Sequence, residues 1–260
     1  MTWAWFNWLG PLAMAAWLAG GFFALRRKTA RAEIFTVAGI VVFALFIAGL
    51  WWELERPPMR TMGETRLWYS FFLAVAGWLA WRHWKYPWLL AYATVMAVIF
   101  AGFNLFKPEI HSRALMPALQ SIYFIPHVTI YMLSYSVLAV ATIASLSQLY
   151  KLNRGDPPEA RLYVFLDNVV WLGLGFLMLG LISGAVWAKE AWGLYWSWDL
   201  KETWAFITVV AYLLYIHLRL RDVSPALTLA VLPVAFILLL ITWLGVSMLP
   251  AASGSIHVYS

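Results

Sequence analysis

Residues 168–188 read NVVWLGLGFLMLGLISGAVWA, a run with no Asp, Glu, Lys or Arg. A bilayer hydrocarbon core about 30 Å thick is crossed by roughly 20 apolar residues in helical form. Working outward from this run, equally uncharged stretches occupy about 3–25, 34–52, 67–81, 86–106, 127–150, 203–218 and 225–249. The third and seventh of the resulting eight spans are short. Helices are the expected form, because backbone polar groups in lipid must be satisfied within their own segment. The runs are too long for the roughly 10-residue alternating strands of a membrane barrel. The fold class is therefore an all-α polytopic integral membrane protein with about eight transmembrane helices.

Composition agrees. The 260 residues are 63% hydrophobic and only 12% charged, against about 45–50% and 25% in a soluble domain. With 18 Trp, 12 Tyr and 16 Phe the chain has the opposite of a disordered composition. The absence of cysteine excludes disulfides, thiolate ligation of metal or haem, iron–sulfur clusters and cysteine-based catalysis by this chain.

The net charge of +6 is a topology signal. Loops after the first, third, fifth and seventh spans carry Arg26, Arg27, Lys28, Arg31, Arg82, Lys85, Lys151, Arg154, Arg161, Arg219 and Arg221 against Glu33, Asp156, Glu159, Asp167 and Asp222. The other loops balance to zero, so the whole excess lies on one side. By the positive-inside rule that side is cytoplasmic, which gives N-out/C-out and removes nucleic acid as a partner. The opening MTWAWFNWLG has no basic n-region and reads as an uncleaved first span. Without a repeat or a soluble insertion, residues 1–260 form a single membrane domain.

Three outer segments are richer than connectors need to be. Residues 53–66 are ELERPPMRTMGETR, with a Pro57-Pro58 stop. Residues 107–126 contain RALMPALQSIYFIP, an interfacial and partly helical piece ahead of His127. Residues 189–204, KEAWGLYWSWDLKETW, interleave Trp192, Tyr195, Trp196, Trp198 and Trp204 with Lys189, Glu190, Asp199, Lys201 and Glu202. An aromatic belt at the headgroup level accounts for scattered residues such as Trp3, Trp5, Trp8, Trp51 and Trp52. In helical form the third segment would set Trp192, Trp196 and Asp199 on one face and Tyr195, Trp198 and Glu202 on another. Such a slab suits a flat, apolar ligand with a polar edge. Belt and binding site both remain open at this point.

Of the five histidines, His217 lies within a span, where ionisable groups are functional candidates by default. His127 opens the fifth span on the outer side, and His257 lies in the outer tail SGSIHVYS. Each singly reads as an ordinary interface or loop residue, and so do His83 and His111. Two neutral imidazoles beside an aromatic slab, with no cysteine available, suit six-coordinate haem iron. Lys189, Lys201, Arg56, Arg60 and Arg113 are outer cations available to propionates.

WGLYWSWDLKETWAF at 192–206 resembles the tryptophan-rich WWD signature of haem-handling membrane proteins, and specifically the CcsA (ResC-type) component of system II cytochrome c biogenesis. Arg56-Pro57-Pro58 with Met59, Met62 and Glu64 is similar to that family's first outer loop. The stretch 117–121 leading to His127, then 132–135, is similar to its first external-histidine segment. Tyr215-Ile216-His217 resembles its membrane histidine, and Ile256-His257-Val258-Tyr259 its second external histidine. Coverage runs from about residue 53 to the C-terminus, with the first two spans agreeing only in topology. Leu200, Leu194 and Val258 depart from the usual Pro, Ser and Ser.

The resemblance implies a haem lyase (holocytochrome c synthase) component that carries haem b, as substrate and bound ligand, to the outer face. With a ResB/CcsB-type partner it would join the haem vinyls to the CXXCH cysteines of an apocytochrome c. His127 and His257 would be axial ligands, and Trp192, Tyr195, Trp196, Trp198 and Trp204 of the outer loop 189–204 would cradle the macrocycle. His217 would ligate haem at an earlier membrane station opposite a partner histidine. Asp199 and Glu202 are candidate acids. The membrane would be the bacterial inner membrane or the thylakoid. Alternatives are a CcmC-type haem chaperone without bond formation, a membrane b-type redox protein, and a transporter or assembly factor with no cofactor.

Overall fold

The structure, a computed structural model, describes residues 2–106, 117–157, 159–221 and 223–246. Among these residues there is no strand. A 3-10 turn at Trp3–Trp5 leads into α1 (Phe6–Leu25), followed by α2 (Thr29–Leu54), α3 (Met62–Trp84) and α4 (Pro87–Phe106). After a short 3-10 turn at Pro117–Gln120 come α5 (Phe124–Asn153), α6 (Ala160–Trp192), α7 (Leu200–Leu220) and α8 (Pro225–Leu240), which runs on into a π turn at Ile241–Gly245. Seven of these are long and apolar enough to cross a membrane. The exception is α3, whose ends carry Glu64, Arg66 and Arg82 and whose body holds Trp68, Trp78, Trp81 and Trp84. The all-helical, polytopic reading stands.

Most of the sequence spans fall within one helix that overruns them, whereas 86–106 begins one residue before α4 and 225–249 runs past residue 246, the last described. α6 has 33 residues, about 50 Å at 1.5 Å per residue, well beyond a hydrocarbon core of about 30 Å. Charge bounds the apolar run, whereas capping bounds the helix, so α6 continues past Lys189 until Gly193 adopts φ 84 and donates its N–H to the Lys189 carbonyl.

The chain divides into two compact units, Met1–Leu115 and Met116–Ser260. In the first, α1 packs on α2 and α4, and α3 on α4. Phe6, Trp17, Phe43 and Phe46 form a buried aromatic group between α1 and α2, with centroids 4.9–6.1 Å apart. The loop between α2 and α3 closes on one carboxylate. Glu64, only 2% exposed, accepts both guanidinium N–H groups of Arg56 at 2.8 and 2.9 Å and the backbone N–H groups of Arg60 and Thr61. It is also the third residue of α3's capping box with Thr61. Leaving one member of such a buried pair alone costs about 3–5 kcal/mol, so Glu64 is what shapes the Arg-Pro-Pro-Met segment.

In the second unit α5 is the core helix. Of its most apolar window 78% is buried, against 28% for α6 and α7. Lipid tails are as apolar as leucine, so helices in a membrane are held by close packing and hydrogen bonds of about 1 kcal/mol. Here Ser134 donates to the Gly173 carbonyl at 2.8 Å, tying α5 to α6, and Ser145 to the Leu229 carbonyl at 2.6 Å, tying α5 to α8. The Thr208 and Thr242 hydroxyls meet at 3.1 Å, joining α7 to the π turn.

Candidate functional site

His127 lies in the first turn of α5, and the structure fixes its ring from three sides. Nδ1 is 2.9 Å from the Gly180 carbonyl oxygen of α6. A carbonyl can only accept, so Nδ1 carries a proton, and in the neutral ring the lone pair is then on Nε2, the tautomer of a metal-ligating histidine. Trp187 stacks on the imidazole at 5.5 Å and 21°. Tyr131, one turn along α5, meets it edge-on at 4.6 Å. Space for the ring comes from Gly184, where a Cβ would stand 2.6 Å from Cε1. Gly180 does the same for Tyr131, where a Cβ would stand 2.5 Å from Cδ1.

Trp187 joins this histidine to the tryptophan-rich loop. Its Nε1 donates to the Ala118 carbonyl at 2.8 Å, and its ring meets Trp192, the last residue of α6, at 4.7 Å and 67°. The contact series Trp192–Trp187–His127–Tyr131 continues through Tyr135, stacked on Tyr131 at 5.4 Å, to Trp243 in the π turn at 5.9 Å. Ser121, from the segment before α5, hydrogen-bonds Glu190 and so ties that segment to the end of α6.

Residues 193–199 are not helical, which corrects the two-face arrangement expected for Trp192, Trp196, Asp199 and Tyr195, Trp198, Glu202. Gly193 ends α6, and the next helix begins with a capping box that needs Asp199 extended. The loop is organised by Glu202. Its buried Oε2 accepts the Ser197 and Asp199 backbone N–H groups at 2.8 and 3.1 Å and the Ser197 hydroxyl at 3.3 Å. Asp199 accepts the Lys201 N–H at 3.0 Å and serves as the N-cap of α7. Both acids thus have structural employment.

This frame holds apolar rings in the open. Tyr195 is 59% and Trp198 65% exposed. Trp198 sits at φ 57, a left-handed backbone that is rare and strained for a bulky residue. Trp196 and Phe206 meet its ring edge-on at 5.7 and 5.9 Å. Trp204, in the first turn of α7, is half-buried. Lys189 donates to the Gly193 carbonyl at 2.7 Å and lies 5.5 Å above the Tyr195 ring, at the edge of the same surface.

The remaining sequence candidates are placed as follows. His217 is exposed in the last turn of α7. Beside it, Asp167 of α6 accepts two N–H groups of Arg219 at 2.8 and 2.9 Å and the Tyr215 hydroxyl at 2.8 Å. Arg56 is committed to Glu64 in the first unit, where burial and the charge of Arg56 lower the pKa of Arg60 against the opposing pull of Glu64. His257, His111 and Arg113 lie outside the described residues. Sequence reasoning missed Gly180, Gly184 and Trp187. Their signal was the small residue repeated at i+4, followed by an aromatic three further on.

The family described as "Cytochrome C assembly protein" matches residues 5–252. A "Cytochrome c biogenesis protein CcsA" of Chlamydomonas reinhardtii is 37% identical over 62% of this chain and 48% of its own length. Proteins of the same name from Parasynechococcus marenigrum (strain WH8102) and Prochlorococcus marinus (strain AS9601) are 34% and 29% identical. These two cover 76% and 86% of this chain and 77% and 84% of their own lengths. The match thus spans about half of the algal relative and over three-quarters of the other two.

Proposed function

The chain belongs to the cytochrome c assembly protein family, and from that premise we propose that it binds haem b at its extracytoplasmic face and, with a ResB/CcsB-type partner, attaches it to the CXXCH cysteines of an apocytochrome c. Assembling a cytochrome c entails handling both haem and the apoprotein. The finer reading is a lyase component. It forms a single membrane domain with eight spans, α3 included, oriented N-out/C-out in a bacterial inner membrane or a thylakoid.

One observation carries the site. The His127 ring is held with Nδ1 on the Gly180 carbonyl and its face on Trp187, and Trp187 abuts Trp192 of the exposed aromatic loop. A neutral imidazole whose Nε2 bears the lone pair is the correct donor for haem iron, and it stands beside rings on which a porphyrin can lie. His257 is proposed as the second axial ligand. Trp192, Tyr195, Trp196, Trp198 and Trp204 form the shelf, and Lys189 at its edge is suited to a propionate.

His217 is proposed as an earlier station. α7 is helical from Leu200 to Leu220, which sets His217 about 27 Å from Asp199 at 1.5 Å per residue. No single haem reaches both, so occupancy is sequential. Exposure of His217 supports a site shared with a second chain.

The chemistry assigned to the chain is positioning. Thioether formation adds a cysteine S–H across a vinyl double bond, sulfur to the inner carbon and hydrogen to the outer, and consumes no further reagent. Holding thiol and vinyl in register removes the entropic part of the barrier. Covalent haem on a CXXCH reporter co-expressed with this chain and a ResB-type partner is the expected result, read by pyridine haemochrome. Haem transferred but not covalently attached would replace the lyase reading with a CcmC-type chaperone. A purified complex without a haem band would overturn both.

A further inference from the structure

At the end of the first unit that carries the α1–α2 and α3–α4 turns lies a concavity of about 390 Å³. Its lining includes Arg27, Thr29, Trp81, Lys85, Tyr86 and Pro87. Two cations, a hydroxyl and a ring floor therefore share one opening. We infer that this pocket binds the phosphate headgroup of an anionic membrane lipid, with Arg27 and Lys85 on the phosphate and Trp81 and Tyr86 against the glycerol and first acyl carbons.

Arg27 and Lys85 are non-glycine residues in left-handed conformation, φ 55 and 62. Each ends a helix, with Arg27 N–H on the Ala24 carbonyl at 2.9 Å and Lys85 N–H on the Trp81 carbonyl at 2.7 Å. Neither has a carboxylate partner among the described residues. Lys85 lies 5.8 Å above the Trp81 ring. The nearby acid, Glu33, is taken by Arg82 at 2.9 Å. With Arg26, Lys28 and Arg31 on the same turn and first helical turn, the local charge is strongly positive. The positive-inside rule accounts for basic residues at this end, but not for two of them converging on a cavity.

The floor selects a lipid over a soluble anion. Trp81 and Ala24 belong to the buried apolar group with Ala32 and Leu90, flanked by Phe23 and Trp78. Tyr86 and Trp88 stand 5.7 Å apart beside the opening, in the pairing typical of the headgroup level. Basic pockets between helices at the cytoplasmic surface are suited to phospholipid headgroups.

The full chain in non-ionic detergent, titrated with phosphatidylglycerol and read by native mass spectrometry, tests this. Arg27→Gln with Lys85→Gln should weaken binding roughly fivefold per cation, about 25-fold together. Arg27→Lys with Lys85→Arg should keep it and controls for folding. Arg154→Gln with Arg221→Gln removes the same charge elsewhere and should leave it unchanged. Equal loss in that second pair, or no loss in the first, overturns the site. Displacement of the lipid by inorganic phosphate overturns the lipid assignment in favour of a soluble anion. Phosphatidylcholine binding as tightly as phosphatidylglycerol overturns the role of charge.

Discussion

The imidazole Nδ1 of His127 lies 2.9 Å from the carbonyl oxygen of Gly180, across the α5–α6 interface. The oxygen sits in a helix and also accepts the Ser183 hydroxyl at 3.0 Å, so the imidazole N–H joins a shared acceptor. The bond specifies the tautomer and turns the ring, while the missing side chain at Gly184 lets it enter. His127 is thereby held in one orientation by its neighbours, as outer-shell hydrogen bonds hold an imidazole.

Replacing that ring tests its role as ligand. His127→Gly is expected to abolish covalent haem on a CXXCH reporter, and exogenous imidazole to restore part of it by filling the vacated volume. His257→Gly should behave alike. Full activity in both variants without imidazole would remove the ligand assignment.

Gly184→Ala tests orientation apart from ligation. The new Cβ would sit 2.6 Å from Cε1 and 2.7 Å from Nδ1 of His127, and overpacking of this kind costs about 1–3 kcal/mol. The ring must turn off the Gly180 carbonyl. A folded protein with a shifted Soret band and reduced haem retention is expected. Gly175→Ala is the control, since nothing lies within 4 Å of its Cβ position. Matching spectra for the two variants would show that the contact does not orient the ligand.

The helices were legible because uncharged runs long enough to cross a bilayer have few other solutions. Their ends were not, since Gly193 and the Asp199–Glu202 box act through backbone geometry that hydropathy does not record. α3 shows the converse, a long helix whose tryptophans and terminal charges leave it less apolar than the other seven. At the site, the residue types of His127 and the 192–204 loop point to a ligand surface, but the two-face arrangement they would have in helical form does not occur, because residues 193–199 are not helical. Gly180 and Trp187 went unnoticed because a carbonyl acceptor and a stacked ring on another helix leave little trace in local sequence.

Asp199 and Glu202 separate a structural from an acid role. Asparagine caps a helix about as well as aspartate, so Asp199→Asn should keep most maturation activity, while Asp199→Ala loses about 1 kcal/mol of helix stability. Glu202→Ala strips the acceptor from two backbone N–H groups and a hydroxyl, each hydrogen bond worth about 1 kcal/mol net. Limited proteolysis within 193–199 should then accelerate and haem retention fall. Complete loss of activity in Asp199→Asn, with proteolysis unchanged, would instead make Asp199 the acid.

His217→Ala tests the order of the two stations. The side chain is exposed, and the Asp167–Arg219–Tyr215 network beside it does not involve the imidazole, so folding should be unaffected. If haem passes His217 before reaching His127, the variant lowers haem content throughout the complex, whereas His127→Gly empties only the outer site. The two are distinguished by haem per complex from pyridine haemochrome, with the partner co-purified. An outer site that fills normally in His217→Ala would mean that haem arrives there by another route, and the exposed histidine would then belong to the lipid-facing surface alone.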